Sequence, residues 1–359
     1  MTTALVVFGG LLSLAVASQA SVQPPPPAKP VDAIEGILEA FKTHQVVALT
    51  DAHGNEQASA FLLSLVRNPR FAVAVNDIVM ECGNARYQDV IDRFAQGEDV
   101  PYESLKRVWQ DTTQPSAACD VPIYEAFYRA VRAVNAPLPR ERQLRVLLGD
   151  PPIDWDNIRN RDDHFKWIEK RESHPAALIQ LEVLARGRRA LLVYGLGHFQ
   201  RKNVHSNFDM EDWRAQTIVS LLEGSGPTTV FTVWTSPELT KIQPEAAAWR
   251  TPSLATIRGT ALGAVDASRY FGWGNRSTTK DGKIAPVPKT QWKSLRAEEQ
   301  FDALLYLGPE AAMTQSRWSP SLCSDSAYMN MRLKRIAVSG IPPAEAERLK
   351  KYCAEVASK

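Results

Sequence analysis

Val46-Val47-Ala48-Leu49-Thr50-Asp51-Ala52-His53-Gly54 is the stretch on which the fold turns. A short apolar run that meets an acid, a histidine and a glycine reads as a buried strand. It ends in ionisable side chains and bends into a helix. The pattern recurs three times. Ala72 to Met80 runs into Glu81, Leu144 to Leu148 into Gly149-Asp150, and Ala190 to Tyr194 into Gly195-Leu196-Gly197-His198. Segments of helical spacing lie around and between these runs: Val31–Thr43, Gly54–Leu65, Tyr87–Phe94, Val121–Val134 and Asp162–Arg186, the last with a break expected at Pro175. Alternation of strand and helix predicts an α/β fold: three layers, with a mostly parallel central sheet flanked by helices. In such a sheet the carboxyl ends of the strands share one edge, where ligands bind.

Working outward, Pro101–Ala118 reads as irregular or short-helical. Trp213–Leu222 reads as a helix, Thr228–Trp234 and Asp302–Leu307 as further strands, and Ala344–Val356 as a C-terminal helix. Residues 239–297 carry Trp249, Tyr270, Phe271, Trp273 and Trp292 among Gly, Pro, Ser and Thr. A long aperiodic segment of this kind is either a lid or binding loop, or a surface excursion packed by its own aromatics.

The 359 residues are 44% hydrophobic and 23% charged, enough for a large core. With a net charge of +2 and no long basic tract, nothing points to nucleic acid. Ala4 to Ala17 is apolar and Ser18-Gln19-Ala20 offers small residues at a cleavage site, so residues 1–20 read as a signal peptide. Residues 21–30 form a proline-rich spacer, and 31–359 a single α/β domain. The protein is therefore expected to be secreted or periplasmic, with no membrane span after cleavage. The chain has four cysteines, Cys82, Cys119, Cys323 and Cys353, which suit disulfides in an exported protein. Sequential pairing, Cys82–Cys119 and Cys323–Cys353, closes the shortest loops.

The chemistry is expected where the strands end. His53 can act as a general base, with Asp51 orienting its ring; alternatively Asp51 or Asn55 merely caps the next helix. Glu81 follows an apolar run, so desolvation raises its pKa unless it is paired, with Arg86 as a candidate partner. The glycines before His198 allow a turn that brings it to the sheet edge, although Gly195-Leu196-Gly197 lacks the third glycine of a dinucleotide loop. Asp150 and Arg161 are lesser candidates for substrate binding; Arg161 would hold a substrate carboxylate or Glu81. His44, His164, His174 and His205 read as surface residues. The absence of Gly-x-Ser-x-Gly, His-Glu-x-x-His and Walker motifs disfavours an α/β-hydrolase serine enzyme, a zincin and a P-loop protein.

The order and spacing of Thr50-Asp51-Ala52-His53-Gly54, Met80-Glu81 and Gly195-Leu196-Gly197-His198 resemble the erythromycin esterase and ChaN-like/Tiki superfamily. Arg161-Asp162 with Phe165, and a looser echo at residues 302–309, add to the likeness. The resemblance places Asp51 at a motif glutamate, His53 and His198 at its histidines and Glu81 at its second-strand acid. It implies a histidine–glutamate pair that activates water in the esterase branch, haem or iron binding in the ChaN branch, and a metal-dependent peptidase in the Tiki branch. Thr50 replaces the family's glycine, and Asp51 is one methylene shorter than its glutamate. Three readings follow: an exported hydrolase of a small-molecule ester or amide; a haem- or metal-binding protein, with His53, Glu81 and His198 as candidate ligands; and a domain that keeps the fold without the chemistry.

Overall fold

The computed structural model describes residues 23–202, 216–235, 243–267, 276–278, 284–286 and 294–357. Its strands are β1 (Val31–Asp32), β2 (Val46–Thr50), β3 (Asp77–Asn84), β4 (Arg145–Asp150), β5 (Ala190–Tyr194), β6 (Val230–Thr235), β7 (Ser253–Thr256), the hairpin β8 (Arg276–Thr278) and β9 (Ile284–Pro286), and β10 (Ala303–Tyr306). The main sheet has the order β1-β7-β10-β6-β2-β5-β3-β4. From β10 to β4 every pairing is parallel, and β7 is antiparallel to both of its neighbours.

Strand period places alternate residues on opposite faces, and both faces are covered. Val47, Leu49, Ile78, Met80, Leu148, Leu191 and Val193 face one core, packed by helices Glu56–Arg67, Gln88–Ala95 and Pro122–Asn135. Val46, Ala48, Val79, Leu147 and Leu192 face the other, packed by helices Ser173–Glu182 and Ile218–Gly224. Burial on both faces explains why the strands read as unbroken apolar runs. Each fully buried Val, Leu or Ile stabilises by roughly 1.5–3 kcal/mol, so the central strands anchor the domain.

The strand order positions the site. The chain leaves β2 for β3, two places along, continues to β4, and returns to lay β5 between β2 and β3. It then crosses to β6 on the far side of β2. Connections from β2 and β5 therefore leave in opposite directions, which opens a crevice above their carboxyl ends.

Several local expectations are corrected. Phe71–Ala74 is a helical turn, begun by Phe71 N–H donating to the Asn68 carbonyl, and β3 starts only at Asp77. A short apolar run does not by itself distinguish a strand from a buried helical turn. The strand then continues to Asn84, with a register irregularity between Met80 and Asn84, so Glu81 lies within the strand. The segment 162–186 breaks at residues 169–172, between helices Arg161–Ile168 and Ser173–Glu182. Pro175 sits in the first turn of the second helix, where its missing N–H costs nothing. Within 239–297, Ser253–Thr256 is a strand of the main sheet. Val31-Asp32 forms the short edge strand β1, and Asp32 caps the helix Ala33–Ala40 by accepting from the N–H groups of Ile34 and Glu35. The helix Ser326–Ser339 had no counterpart in the sequence pattern. Both disulfides pair sequentially, Cys82–Cys119 and Cys323–Cys353. Among the described residues, no helix is long and apolar enough to cross a membrane. The expected signal segment 1–20, His205 and the aromatics Tyr270, Phe271, Trp273 and Trp292 lie outside the described residues.

Candidate active site

At the end of β2, Thr50 is held in the sheet: its Oγ1 accepts the Thr235 N–H at 2.6 Å, and its carbonyl accepts from Thr235 Oγ1 at 3.2 Å. Thr50 thus ties β2 to β6. Asp51 N–H donates to the Tyr194 carbonyl at 2.7 Å, which fixes the turn. Gly54 follows with φ +80°, a conformation that glycine takes without strain. Asn55 caps the next helix by accepting the Ala58 N–H at 2.8 Å, which leaves Asp51 free of that task.

Asp51 instead holds His53. Its Oδ2 lies 2.9 Å from His53 Nδ1 and accepts from the Tyr124 hydroxyl at 2.9 Å; Tyr124 is also 3.1 Å from His53 Nδ1. Burial keeps the Tyr124 phenol protonated, and the Asp51 carboxylate reinforces that. The shorter aspartate therefore reaches the imidazole, and a tyrosine from the helix Pro122–Asn135 completes the clamp. Opposite, His53 Nε2 lies 3.4 Å from Glu81 Oε2.

Glu81 is the hub. It is 2% exposed and satisfied on both oxygens. Oε2 accepts the Gly195 N–H at 2.7 Å; Oε1 accepts from Arg171 and, at 3.2 Å, from Gln114 Nε2, and lies 3.4 Å from His198 Nε2. A Cβ at Gly195 would stand 3.2 Å from His53 Nε2, a tight contact, and 3.4 Å from Glu81 Oε2. His198 Nδ1 in turn sits 2.6 Å from Glu172 Oε1, an ion-pair contact without hydrogen-bond alignment. Acid and imidazole thus alternate through Asp51, His53, Glu81, His198 and Glu172.

The charges follow. Burial opposes ionisation of Glu81, but the imidazoles of His53 and His198 outweigh it and hold the carboxyl well below its ordinary range. The raised value expected of an unpaired carboxyl is therefore not found. Burial likewise opposes charge on the histidines. Glu81 and Asp51 overcome it at His53, which is raised well above the ordinary histidine value, and Glu172 and Glu81 push His198 to about 9. His53 keeps a third of its side chain exposed, whereas His198 keeps 11%. His53, Glu81 and His198 line a cavity of about 850 Å³, shared with Phe165 and Ile168 and bounded by the turn at Gly340-Ile341.

Other candidates fall elsewhere. Arg161 lines the same cavity but does not hold Glu81; Arg171 does. Arg86 pairs with Asp154 at 3.1 Å. Asp150 is buried and turned to Thr113, accepting its N–H at 2.6 Å and its hydroxyl at 2.5 Å, so it braces a loop and does not line the cavity. Burial pushes its carboxyl up to about 7, against the opposing charge of Arg171. His164 is buried, stacked on Trp155 and bonded to the Thr113 carbonyl at 2.8 Å, and His174 is half-buried; the expectation that both are surface residues is corrected. Sequence reasoning missed Tyr124, Arg171, Glu172 and Gln114. The available signal was the pair Arg171-Glu172 just ahead of Pro175, where a helix break brings both into the crevice.

The donor set suits proton transfer better than metal or haem ligation. Each ring nitrogen of His53 and His198 already faces a carboxylate, and Arg171 neutralises the negative charge that Glu81 would otherwise offer to a cation. Among the described residues, no group of three or more His, Cys, Asp and Glu side chains has metal-binding geometry.

No family model and no curated protein matches the chain. A crystal structure of a succinoglycan biosynthesis protein superposes with a TM-score of 0.54 at 11% identity, covering 81% of this chain and 96% of that one; this likeness shows the fold alone. A Bacillus cereus protein aligns with a TM-score of 0.48 at 11% identity, over 82% and 97% of the two chains. ChaN of Campylobacter jejuni, solved with cofacial haem, aligns at 0.35 and 11% identity, over 56% and 85%.

Proposed function

We propose that this chain is a hydrolase of the erythromycin esterase-like type that uses His53 to activate water against a small-molecule ester or amide. The observation that carries the reading is the placement of His53: one ring nitrogen is held by Asp51, and the other is in loose contact with Glu81 on the wall of a large cavity. A contact of 3.4 Å is longer than a good N–H···O bond, so it can give way to a water that hydrogen-bonds to Nε2. The deprotonated imidazole takes a proton from that water, and the resulting imidazolium is stabilised by Asp51 and Glu81. Glu81, with both oxygens engaged, is a positioning and electrostatic residue and not a nucleophile. His198 and Arg171 hold it in place, and Glu172 and Tyr124 orient the two imidazoles. The raised pKa of His53 means that the base form is populated only as the pH rises above the ordinary histidine range. Export, with residues 1–20 as a signal peptide and 31–359 as one domain, belongs to the same proposal; the two disulfides support it.

The test is hydrolysis of a panel of nitrophenyl esters and lactones by the wild type and by His53→Ala, with circular dichroism to monitor folding. Removal of a general base is expected to lower turnover by a factor on the order of 10²–10⁴. The reading fails if the wild type turns over nothing in the panel, or if a folded His53→Ala retains full turnover.

A further inference from the structure

A second cavity, of about 540 Å³, adjoins the first, and His53 is the residue that lines both. Its walls come from a part of the chain that contributes little to the sheet: Gln315 to Trp318 after β10, and Arg348 and Tyr352 on the helix Ala344–Ala357. These walls are pinned. Glu56 N–H donates to the Thr314 carbonyl at 3.0 Å and Ser316 N–H to the Gly54 carbonyl at 2.7 Å, which lays the segment along the turn that carries His53. Trp318 Nε1 donates to the Ala117 carbonyl at 2.7 Å, and the Tyr352 hydroxyl to the Trp318 carbonyl at 2.7 Å. The Cys323–Cys353 disulfide ties the helix to the same region.

Arg317 lies in the middle of this pinned segment. It is exposed, and its guanidinium makes no ion pair or hydrogen bond among the described residues. Arg348 pairs with Glu345 on its own helix, at 3.1 Å, in a largely exposed pair that contributes little and is readily exchanged. Trp318 and Tyr352, packed edge to face with ring centroids 4.9 Å apart, supply an aromatic wall to the same cavity. One acid, Glu355, also lines the space.

We infer that the two cavities are the two arms of one substrate site meeting at His53, and that the smaller arm binds a carboxylate-bearing leaving group through Arg317 and Arg348. This rests on the hydrolase reading and specifies its substrate: the apolar acyl part lies in the larger arm beside Phe165 and Ile168, and the acidic part lies across His53. Water adds to the acyl carbon, the bond to the leaving oxygen or nitrogen breaks, and the proton held by His53 passes to that leaving atom. A planar guanidinium suits a carboxylate because it donates two parallel N–H bonds.

The test compares two butanoyl esters, one of 3-hydroxy-4-nitrobenzoate and one of 2-nitrophenol, which is the same ring without the carboxylate. The wild type is expected to favour the carboxylate ester in kcat/KM by about tenfold or more, as a charge-assisted hydrogen bond supplies. Arg317→Ala should reduce the preference through KM, Arg317→Lys should retain more of it than Arg317→Ala, and the double variant Arg317→Ala/Arg348→Ala should abolish it. Equal rates in the wild type, or a preference that survives the double variant undiminished, would overturn the inference and leave the hydrolase reading intact. Binding of free 3-hydroxy-4-nitrobenzoate, followed calorimetrically in the wild type and in Arg317→Ala, provides a readout independent of turnover. Weaker binding by the variant supports the anionic arm even if neither ester is cleaved, and equal binding overturns it.

Discussion

Replacing His198 with glutamine removes the imidazolium that lies between Glu81 and Glu172 while leaving a side chain able to hydrogen-bond. A histidine raised from 6.5 in the unfolded chain to about 9 in the folded one favours the folded state, when protonated, by roughly 3 kcal/mol. The group is 11% exposed, so solvent screening removes little of this. The sign follows from the direction of the shift. Because the folded value is raised, the stabilisation is complete below pH 6.5 and is lost as the pH rises through about 9. The assay is urea unfolding of wild type and His198→Gln at pH 5.5 and pH 10 with the disulfides intact. The variant should be less stable than the wild type by roughly 3 kcal/mol more at pH 5.5 than at pH 10; groups that do not interact with His198 cancel in this double difference. A penalty that is the same at both pH values would mean that His198 is not held as a cation between the two acids, and the alternating chain of carboxylates and imidazoles would lose its electrostatic basis.

Two further outcomes follow from the same geometry. Asp51→Asn withdraws one of the two carboxylates that raise His53, so the rising limb of the pH–rate profile should move to lower pH while the maximal rate falls; an unmoved limb would exclude Asp51 as the partner of His53. Arg171→Met leaves Glu81 buried without its guanidinium, and should cost about 3–5 kcal/mol in urea unfolding, as breaking a buried ion pair does. A loss below 1 kcal/mol would show that the histidines alone satisfy Glu81.

The elements that were legible in sequence are those whose signal is local. Val46–Thr50 and Ala190–Tyr194 are buried on both faces, so their residues are mostly apolar and the runs show in the pattern. Phe71–Ala74 misled because four apolar residues fit a helical turn as well as a strand, and packing beneath the sheet selects the turn. His53, Glu81 and His198 were legible because an ionisable residue that interrupts or follows an apolar run stands out from its neighbours. Asp150 has the same signature and a different fate, since Thr113 satisfies it from a loop whose path no periodicity reveals.

By itself, the sequence determined the α/β class, the order in which strands present their acids and histidines, and a disulfide pairing consistent with short loop closure. These depend on burial and on separation along the chain. Only the tertiary structure decided that β5 lies between β2 and β3, which is what brings His53 and His198 each to 3.4 Å from Glu81. It also decided that Arg171, Glu172 and Tyr124 complete the site, and that His53 stands between two cavities. The physical reason is that an ion pair between residues 90 positions apart leaves no trace in local composition: Arg171 and Glu81 meet because packed layers put them together, and each looks ordinary within its own segment.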